Sequence, residues 1–319
     1  MSARSAAVTG SASAGGSAAA AGSDHGAAPR ALVFGEALVD VINGVALPGG
    51  SPLNVAVGLS RLGVRTRLAA RLGADAHGSL IVEHLEESHV EFAPPVAGAE
   101  TSRAEVTLDE AGHATYRFVL DSALPDTPLA GVELVHTGSL GAVLDPGAST
   151  VLQAFSAAGP QLRSYDPNIR PQLMTDRDAT IAQVERLASL SHIVKLSDED
   201  AQWLYPDRAP EEALDRFLAL GTRLAVLTRG AEGCVARTAE HTLRAASERI
   251  VVADTVGAGD SFMAALLTAV LDGPLAGALR AGSAPDPAPV EAALRFASRV
   301  AAITASRVGA NPPWVRELE

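Results

Sequence analysis

Apolar residues recur along the chain in two alternating rhythms. Short runs at 31–35, 134–137, 162–165, 192–196, 223–228 and 234–237 carry little polar character on either face, the pattern of strands buried on both sides. Between them, segments 149–158, 179–189, 198–203 and 211–220 are suited to helix. From Leu134 onward this alternation predicts an α/β fold, a mostly parallel sheet with helices on both faces. Residues 66–73 read as a further strand, 79–88 as a helix and 290–306 as the last helix, while 273–289, rich in Ala, Pro and Gly, reads as a loop with at most a short helical piece.

The first third of the chain is less regular. After the run 31–35, Asp40 is flanked by Leu38-Val39 and Val41-Ile42, so the strand is expected to continue with one wet face. Asp40 then either projects into a cleft or is a solvated edge acid. Residues 47–52 read as a turn, with Ser51 as helix N-cap and Pro52 in the first helical position. The helix runs to about Leu62 and Gly63 ends it. Asn54 lies in its first turn near Gly49 and Gly50; on pattern alone it is a helix-start polar residue. Residues 104–108 and 114–120, around a turn at 109–112, read as a β-hairpin and suggest a small sheet outside the main one.

Composition narrows the classes. The 319 residues are 47% hydrophobic, enough for a substantial core, and the net charge of −12 argues against a nucleic-acid partner. Residues 1–29 are mostly Ala, Ser and Gly and are expected to form a disordered tail without a signal-peptide core. No stretch of about 18 strongly apolar residues suggests a membrane span, so a soluble, cytoplasmic protein is expected. The lone Cys234 excludes an intrachain disulfide, the histidines show no metal-ligand spacing, and Lys195 is the only lysine.

The chemistry concentrates in Asp254-Thr255-Val256-Gly257-Ala258-Gly259-Asp260-Ser261-Phe262, a small-residue loop opening onto the helix-forming run 263–271. Two glycines and a helix N-terminus offer backbone N–H groups to a phosphate. Asp260 is out of place if the anion is only held, but fits if the anion is transferred and the acid takes the acceptor's proton. A Walker A loop, a protein-kinase Gly-rich loop and a dinucleotide fingerprint are each absent, the last because Phe262 stands where its third Gly belongs. On the residues alone, a tight structural turn remains the alternative. Three polar segments, 165–170, 195–200 and 228–233, follow strand ends, where ligands bind in such sheets.

The nine residues 254–262 resemble the C-terminal signature of the PfkB (ribokinase-like) carbohydrate kinases. Gly49-Gly50-Ser51-Pro52-Leu53-Asn54-Val55-Ala56 resembles the N-terminal signature, and Gly73, Asp75 and Gly78 match a recurrent Gly-x-Asp-x-x-Gly stretch; together the likeness spans about residues 31–313. It implies a ribokinase-like three-layer α/β/α core in a single kinase domain at 30–319, with a small β lid from about 41–50 and 99–123. The implied activity is ATP-dependent phosphorylation of a sugar hydroxyl. Asp260 would be the general base, and Gly257, Ala258 and Gly259 would form the anion hole. Asp40, Gly49, Gly50, Asn54, Tyr116 and Arg170 would meet the sugar. Lys195, Ser197, Thr228, Gly230, Gly233, Ala310 and Asn311 would line the ATP path. Mg²⁺ would accompany ATP, with Asp200 acting through a bound water, and Asp254 marks where some members take a monovalent cation such as K⁺. Where members often carry Asn-x-x-Glu, this chain has Ser197 and Asp200.

Phe34-Gly35-Glu36 with Asp40, and Asp166-Pro167-Asn168-Ile169-Arg170, resemble the fructokinase branch and the related 2-keto-3-deoxygluconate kinases. Fructose is the favoured acceptor; 2-keto-3-deoxygluconate and ribose stay open. A non-catalytic sugar or nucleotide sensor would lack the base or the anion loop, and both are intact here. An NAD-dependent oxidoreductase is a further, weaker alternative. A homodimer joined through the lid is expected, because an open sheet needs its faces and edges covered.

Overall fold

The computed structural model describes residues 30–42, 44–108 and 114–319, without the side chains of 106–108 and 114–116. The expected tail at 1–29 and the expected hairpin turn at 109–112 lie outside the described residues.

The first strands are β1 (Ala31–Phe34), β2 (Leu38–Ile42), β3 (Val45–Gly49), β4 (Thr66–Ala69) and β5 (Glu91–Phe92). The hairpin strands follow as β6 (Ser102–Leu108) and β7 (Ala114–Val119). The regular βα half supplies β8 (Leu134–Gly138), β9 (Leu162–Asp166), β10 (Ile193–Ser197), β11 (Leu224–Thr228), β12 (Cys234–Arg237) and β13 (Thr242–Ala245). Helices α1 (Ser51–Arg61) and α2 (Ala76–Glu87) precede the hairpin. Then come α3 (Gly147–Ala157), α4 (Arg177–Leu190), α5 (Asp198–Leu204) and α6 (Glu212–Leu220). The chain closes with α7 (Ala258–Asp272), α8 (Leu275–Ala281) and α9 (Pro287–Ala305).

Nine strands form one sheet in the order β13-β12-β11-β10-β9-β8-β1-β4-β5, parallel except where β12 and β13 join antiparallel. One apolar layer lies between this sheet and α1, α2, α7, α8 and α9. The other lies against α3 to α6 and includes the fully buried Phe155 and Phe217. Burial on both faces is why these strands read as continuous apolar runs.

The expectations for 36–52 need correction. The first strand does not continue through Asp40. The chain breaks at Gly35, with φ of +149°, and β2 leaves for a second, four-stranded sheet in the order β3-β2-β6-β7. Most of the segment expected as a turn, 47–52, is instead the end of β3 and the start of α1. β3 pairs antiparallel with β2, Asp40 opposite Leu47. Alternating exposure hid β3, since a strand of a small sheet lying off the core has weak hydrophobic contrast. Ser51 is not the N-cap. Gly50 holds that position with φ of +103°, and Ser51 is the first helical residue. The loop expected at 273–289 holds its short helical piece as α8, and α9 begins at Pro287, three residues before the expected start.

Two close approaches set how the layers meet. A Cβ on Gly58 would lie 2.7 Å from the Cβ of Ala264, so α1 and α7 pack almost backbone to backbone. The Gly73-x-Asp75-x-x-Gly78 stretch joins the sheets. Asp75 caps α2 by accepting the Gly78 N–H at 2.7 Å, and it also accepts the Thr101 N–H and hydroxyl, each at 2.8 Å. Burial works against the charge, but these donors outweigh it and hold the Asp75 carboxyl below its ordinary range. Thr101 immediately precedes β6, so this one carboxylate ties the exit of β4 to the second sheet.

No single helix among the described residues is long and apolar enough to cross a membrane.

A Cβ at residue 78 would lie 1.9 Å from the Gly73 carbonyl oxygen, a backbone atom that cannot move aside cheaply. Gly78→Ala is therefore expected to lower the unfolding free energy by about 3 kcal/mol, measured by urea denaturation. An unchanged midpoint would show that this joint is loose.

Candidate active site

The site forms where the N-termini of α1 and α7 converge over the carboxyl ends of β8 to β11. Gly257 takes a left-handed conformation, φ +73°, as N-cap of α7. A Cβ there would lie 2.5 Å from the Ala310 Cβ, so glycine lets the 309–311 segment close over the loop. The Ala258 N–H donates to the Thr255 carbonyl at 3.2 Å. The N–H groups of Gly257 and Gly259 donate to no acceptor among the described residues, and they stand at the positive end of a 15-residue helix.

Asp260 lies in the first turn of α7, 8% exposed. Its two oxygens are held separately. Oδ1 accepts the Ser51 hydroxyl proton at 2.7 Å, and Oδ2 accepts from Asn54 Nδ2 at 2.8 Å. Both donors come from the first turn of α1. Ser261, next in the chain, accepts from the Thr304 hydroxyl at 2.8 Å, which fixes α7 against α9.

A polar row lies beneath the loop on the same face of the sheet. Lys195 of β10 pairs with Asp166 of β9 at 2.7 Å, both almost fully buried. The Lys195 ammonium also lies 3.3 Å from where a Cβ on Gly259 would stand, directly against the 257–259 loop. Burial works to lower the Lys195 pKa, but the Asp166 carboxylate outweighs it and keeps the amine protonated. Burial pushes Asp166 up to about 7, opposed by Lys195 and reinforced by Asp200 and Asp260. Neighbouring His136 contacts Ser164 Oγ through Nδ1 at 2.9 Å; burial, then the Lys195 charge, lowers its pKa to about 3, so it is neutral.

The sugar-side candidates gather at the joint between the sheets. A Cβ on Gly49 would lie 2.3 Å from Asp40 Oδ2, so Asp40 lies directly over bare backbone. Burial raises the Asp40 pKa, with Arg170 opposing. Arg170 Nη1 donates to Asn168 Oδ1 at 2.7 Å and to the carbonyls of Asn168 and Ile169 at 3.2 Å, pinning its own loop. Tyr116 lies on β7; its side chain is outside the described ones.

The remaining candidates are more dispersed. Asp254 Oδ1 accepts the Val256 N–H at 3.0 Å and Oδ2 the Gly309 N–H at 2.9 Å. These bonds hold its carboxyl well below the usual range and lock the loop to the C-terminal segment. Asn311 Oδ1 accepts from Arg61 Nη1 at 2.6 Å, which spends that oxygen on the end of α1. Ser197 and Asp200 form a reciprocal capping box on α5, and Asp200 Oδ1 also accepts the Ile169 N–H at 2.7 Å. Thr228 ends β11 and donates to the Leu196 carbonyl at 3.3 Å. Gly230 and Gly233 form the tight connection to β12, with φ of +48° and +85°. No group of three or more His, Cys, Asp or Glu side chains able to hold a metal occurs among the described residues.

Sequence reasoning missed Glu36 as a site residue. It is 8% exposed, and Oε2 accepts the Gly141 N–H at 2.9 Å. Its signal was the acid directly after Gly35, which bends the chain out of β1. Burial pushes the Glu36 carboxyl up to about 7 from 4.5, against the Gly141 N–H. The folded state thus binds the proton more tightly than the unfolded chain. Its stabilising contribution is complete below the unfolded value and is lost as pH rises through about 7. Glu36→Gln keeps an acceptor for Gly141 but has no proton to lose. Its stability relative to wild type is expected to rise between pH 4.5 and about 7 and to level off above that, read from urea denaturation across pH. A constant difference would remove Glu36 from the pH dependence.

This geometry has known counterparts. A fructokinase of Rhizobium leguminosarum bv. trifolii is 32% identical over 258 residues, 75% of this chain and 79% of that protein. The structure of a fructokinase with bound ATP from Xylella fastidiosa superposes with a TM-score of 0.80 at 26% identity, covering 91% of this chain and 98% of the other. A fructokinase of Vibrio cholerae O395 in fructose-, ADP- and calcium-bound form superposes with a TM-score of 0.72 at 27% identity, covering 88% and 94%. The pfkB family carbohydrate kinases match residues 23–316, and the chain belongs to that family.

Proposed function

We propose that the protein is an ATP-dependent fructokinase, in which Asp260 is the general base. One observation carries this reading: a buried carboxylate stands at a helix N-terminus where the Gly257 and Gly259 N–H groups donate to no acceptor among the described residues, held by the α1 turn that carries Asn54. An acid placed there is suited to deprotonating an acceptor while the neighbouring dipole takes the phosphate.

The step follows from that arrangement. The sugar hydroxyl gives its proton to Asp260 as its oxygen forms a bond to the γ-phosphorus. The bond from that phosphorus to the β,γ-bridging oxygen breaks, and ADP leaves. The N–H groups of Gly257 and Gly259 meet the charge on the phosphoryl oxygens; Ala258 contributes less, because its N–H is engaged with Thr255. Lys195 adds a fixed positive charge beneath the loop. Thr228, Gly230, Gly233, Ala310 and Asn311 are assigned to the nucleotide path, and Ser197 supports it through the α5 cap. Asp40, Gly49, Gly50, Asn54 and Tyr116 are assigned to the sugar. Arg170 pins its own loop through Nη1, and the choice of fructose is supported by the likeness to fructokinases.

Mg²⁺ fits as an ion carried by ATP, since no group of three or more acidic, His or Cys side chains able to hold a metal occurs among the described residues. Both Asp200 oxygens already accept backbone N–H groups, and their remaining lone pairs suit an indirect contact through water. When bound, the ion would neutralise phosphate charge. Asp254, held ionised, is assigned to a monovalent cation such as K⁺.

Residues 30–319 are taken as one kinase unit working in the cytoplasm, with the second sheet as a lid that excludes water when sugar binds. Ile42, Val45 and Leu47 are exposed apolar side chains on that sheet, which supports pairing with the sheet of a second copy.

Asp260→Asn is expected to cut kcat by roughly 10²- to 10⁴-fold while ATP binding, followed by calorimetry, stays within about two-fold. Activity near that of the wild type would end the general-base assignment. In a coupled ADP-release assay across fructose, 2-keto-3-deoxygluconate, ribose, adenosine and fructose 6-phosphate, fructose is expected to give the highest kcat/KM. Equal values across the panel would sink the substrate assignment.

A further inference from the structure

Ser51 has no structural task that explains it. As the first residue of α1 it does not cap the helix, and α1 has no side-chain cap at all. It is 4% exposed, so a hydroxyl there carries a desolvation cost unless it is bonded. It spends its one proton on Asp260 Oδ1, 209 positions away in sequence. Asn54, one helical turn on, occupies the other oxygen of the same carboxylate.

A single donor leaves a carboxylate free to turn about its Cβ–Cγ bond. Two donors on different oxygens, both from one rigid helical turn, fix its plane. Each oxygen accepts two hydrogen bonds, so one lone pair on each stays open to the acceptor hydroxyl. We propose that Ser51 is a positioning residue for the catalytic base: with Asn54 it locks the Asp260 carboxylate in the orientation that receives the sugar proton. This rests on Asp260 being the base. The two donors are not equivalent. Asn54 keeps a carbonyl oxygen for the sugar, so its loss is felt in both binding and turnover. Ser51 has no second proton to give the sugar, so its loss is felt in turnover.

The location makes this lock sensitive to the sheet joint. Ser51 follows Gly49 and Gly50, and a Cβ on Gly50 would lie 2.8 Å from the Glu36 carbonyl oxygen. The hydroxyl is thus carried on the residue at which β3 turns into α1, with no slack between the second sheet and the base.

Ser51→Ala is the first test, with fructose and ATP varied separately. An ångström-scale misplacement of a reacting group costs about 100-fold, and loss of one of two holds is expected to lower kcat about 10-fold. The KM values for fructose and ATP should stay within about two-fold. The pair Ser51→Thr and Ser51→Val isolates the hydroxyl at matched shape, so a folding defect would affect both alike. Thr near wild-type kcat with Val as slow as Ala supports the lock. Thr and Val equally active, Ala with unchanged kcat, or a loss confined to the KM for fructose would each overturn it. Absence of fructose phosphorylation in the wild type would instead bring down the fructokinase reading.

Discussion

The site depends on how closely α1 and α7 approach. Gly58 and Ala264 face each other with no room for a larger side chain, and this brings the first turns of the two helices within reach of short polar groups. Serine and asparagine are among the shortest donors available. They reach Asp260 because the helix axes are drawn together one to two turns away. A branched residue at either contact would push the helices apart and open the bonds of Ser51 and Asn54 before any active-site atom was altered. The small-residue contact is therefore as much a part of the site as the carboxylate it serves.

The sheet shows the same economy. Leu162 and Ile193 pack into the apolar layer, while Ser164, Asp166 and Lys195, two and four residues on, face the same side as polar groups. With a period of two, one face of each strand changes from core to chemistry over a single turn of the helices above it. The polar end needs internal partners because it is buried, and the Asp166–Lys195 pair supplies one. Pairing two charges this deep contributes little net stability, since desolvation offsets much of the attraction. What it secures is a protonated amine of fixed position under the 257–259 loop.

The regular βα half of the fold was legible from residues alone. The run 234–237 matches β12, and β8 to β11 lie within a residue or two of their apolar runs, because strands buried on both faces carry the strongest compositional signal. The second sheet was legible as a hairpin at 104–120 and, in β2, as a strand with one wet face wrongly continued from β1; β3 was read in part as a turn, since a half-exposed strand carries weak hydrophobic contrast. Thr242–Ala245 escaped for the same reason, alternating exposed and buried at the sheet edge. In the site, the glycine loop and its acid stood out through local spacing. The hold of Ser51 on Asp260 could not, because a pairing across two hundred residues leaves no periodic trace. Ser51 looked like a helix cap, a role its residue type suits and its position denies.

The buried pair beneath the loop has a chemical corollary. Lys195 is the only lysine, so every other basic side chain that can be positively charged is arginine or histidine. Reagents that acylate or alkylate amines therefore find one target apart from the chain's own α-amino group, and that target is shielded by Asp166 and the Gly259 backbone. Apart from that terminus the chain carries a single amine, the side-chain nitrogen beneath the 257–259 loop, which can be isotopically marked. The protein thus comes with its own spectroscopic probe, one resonance from one ammonium, at the place where a phosphate would be felt first.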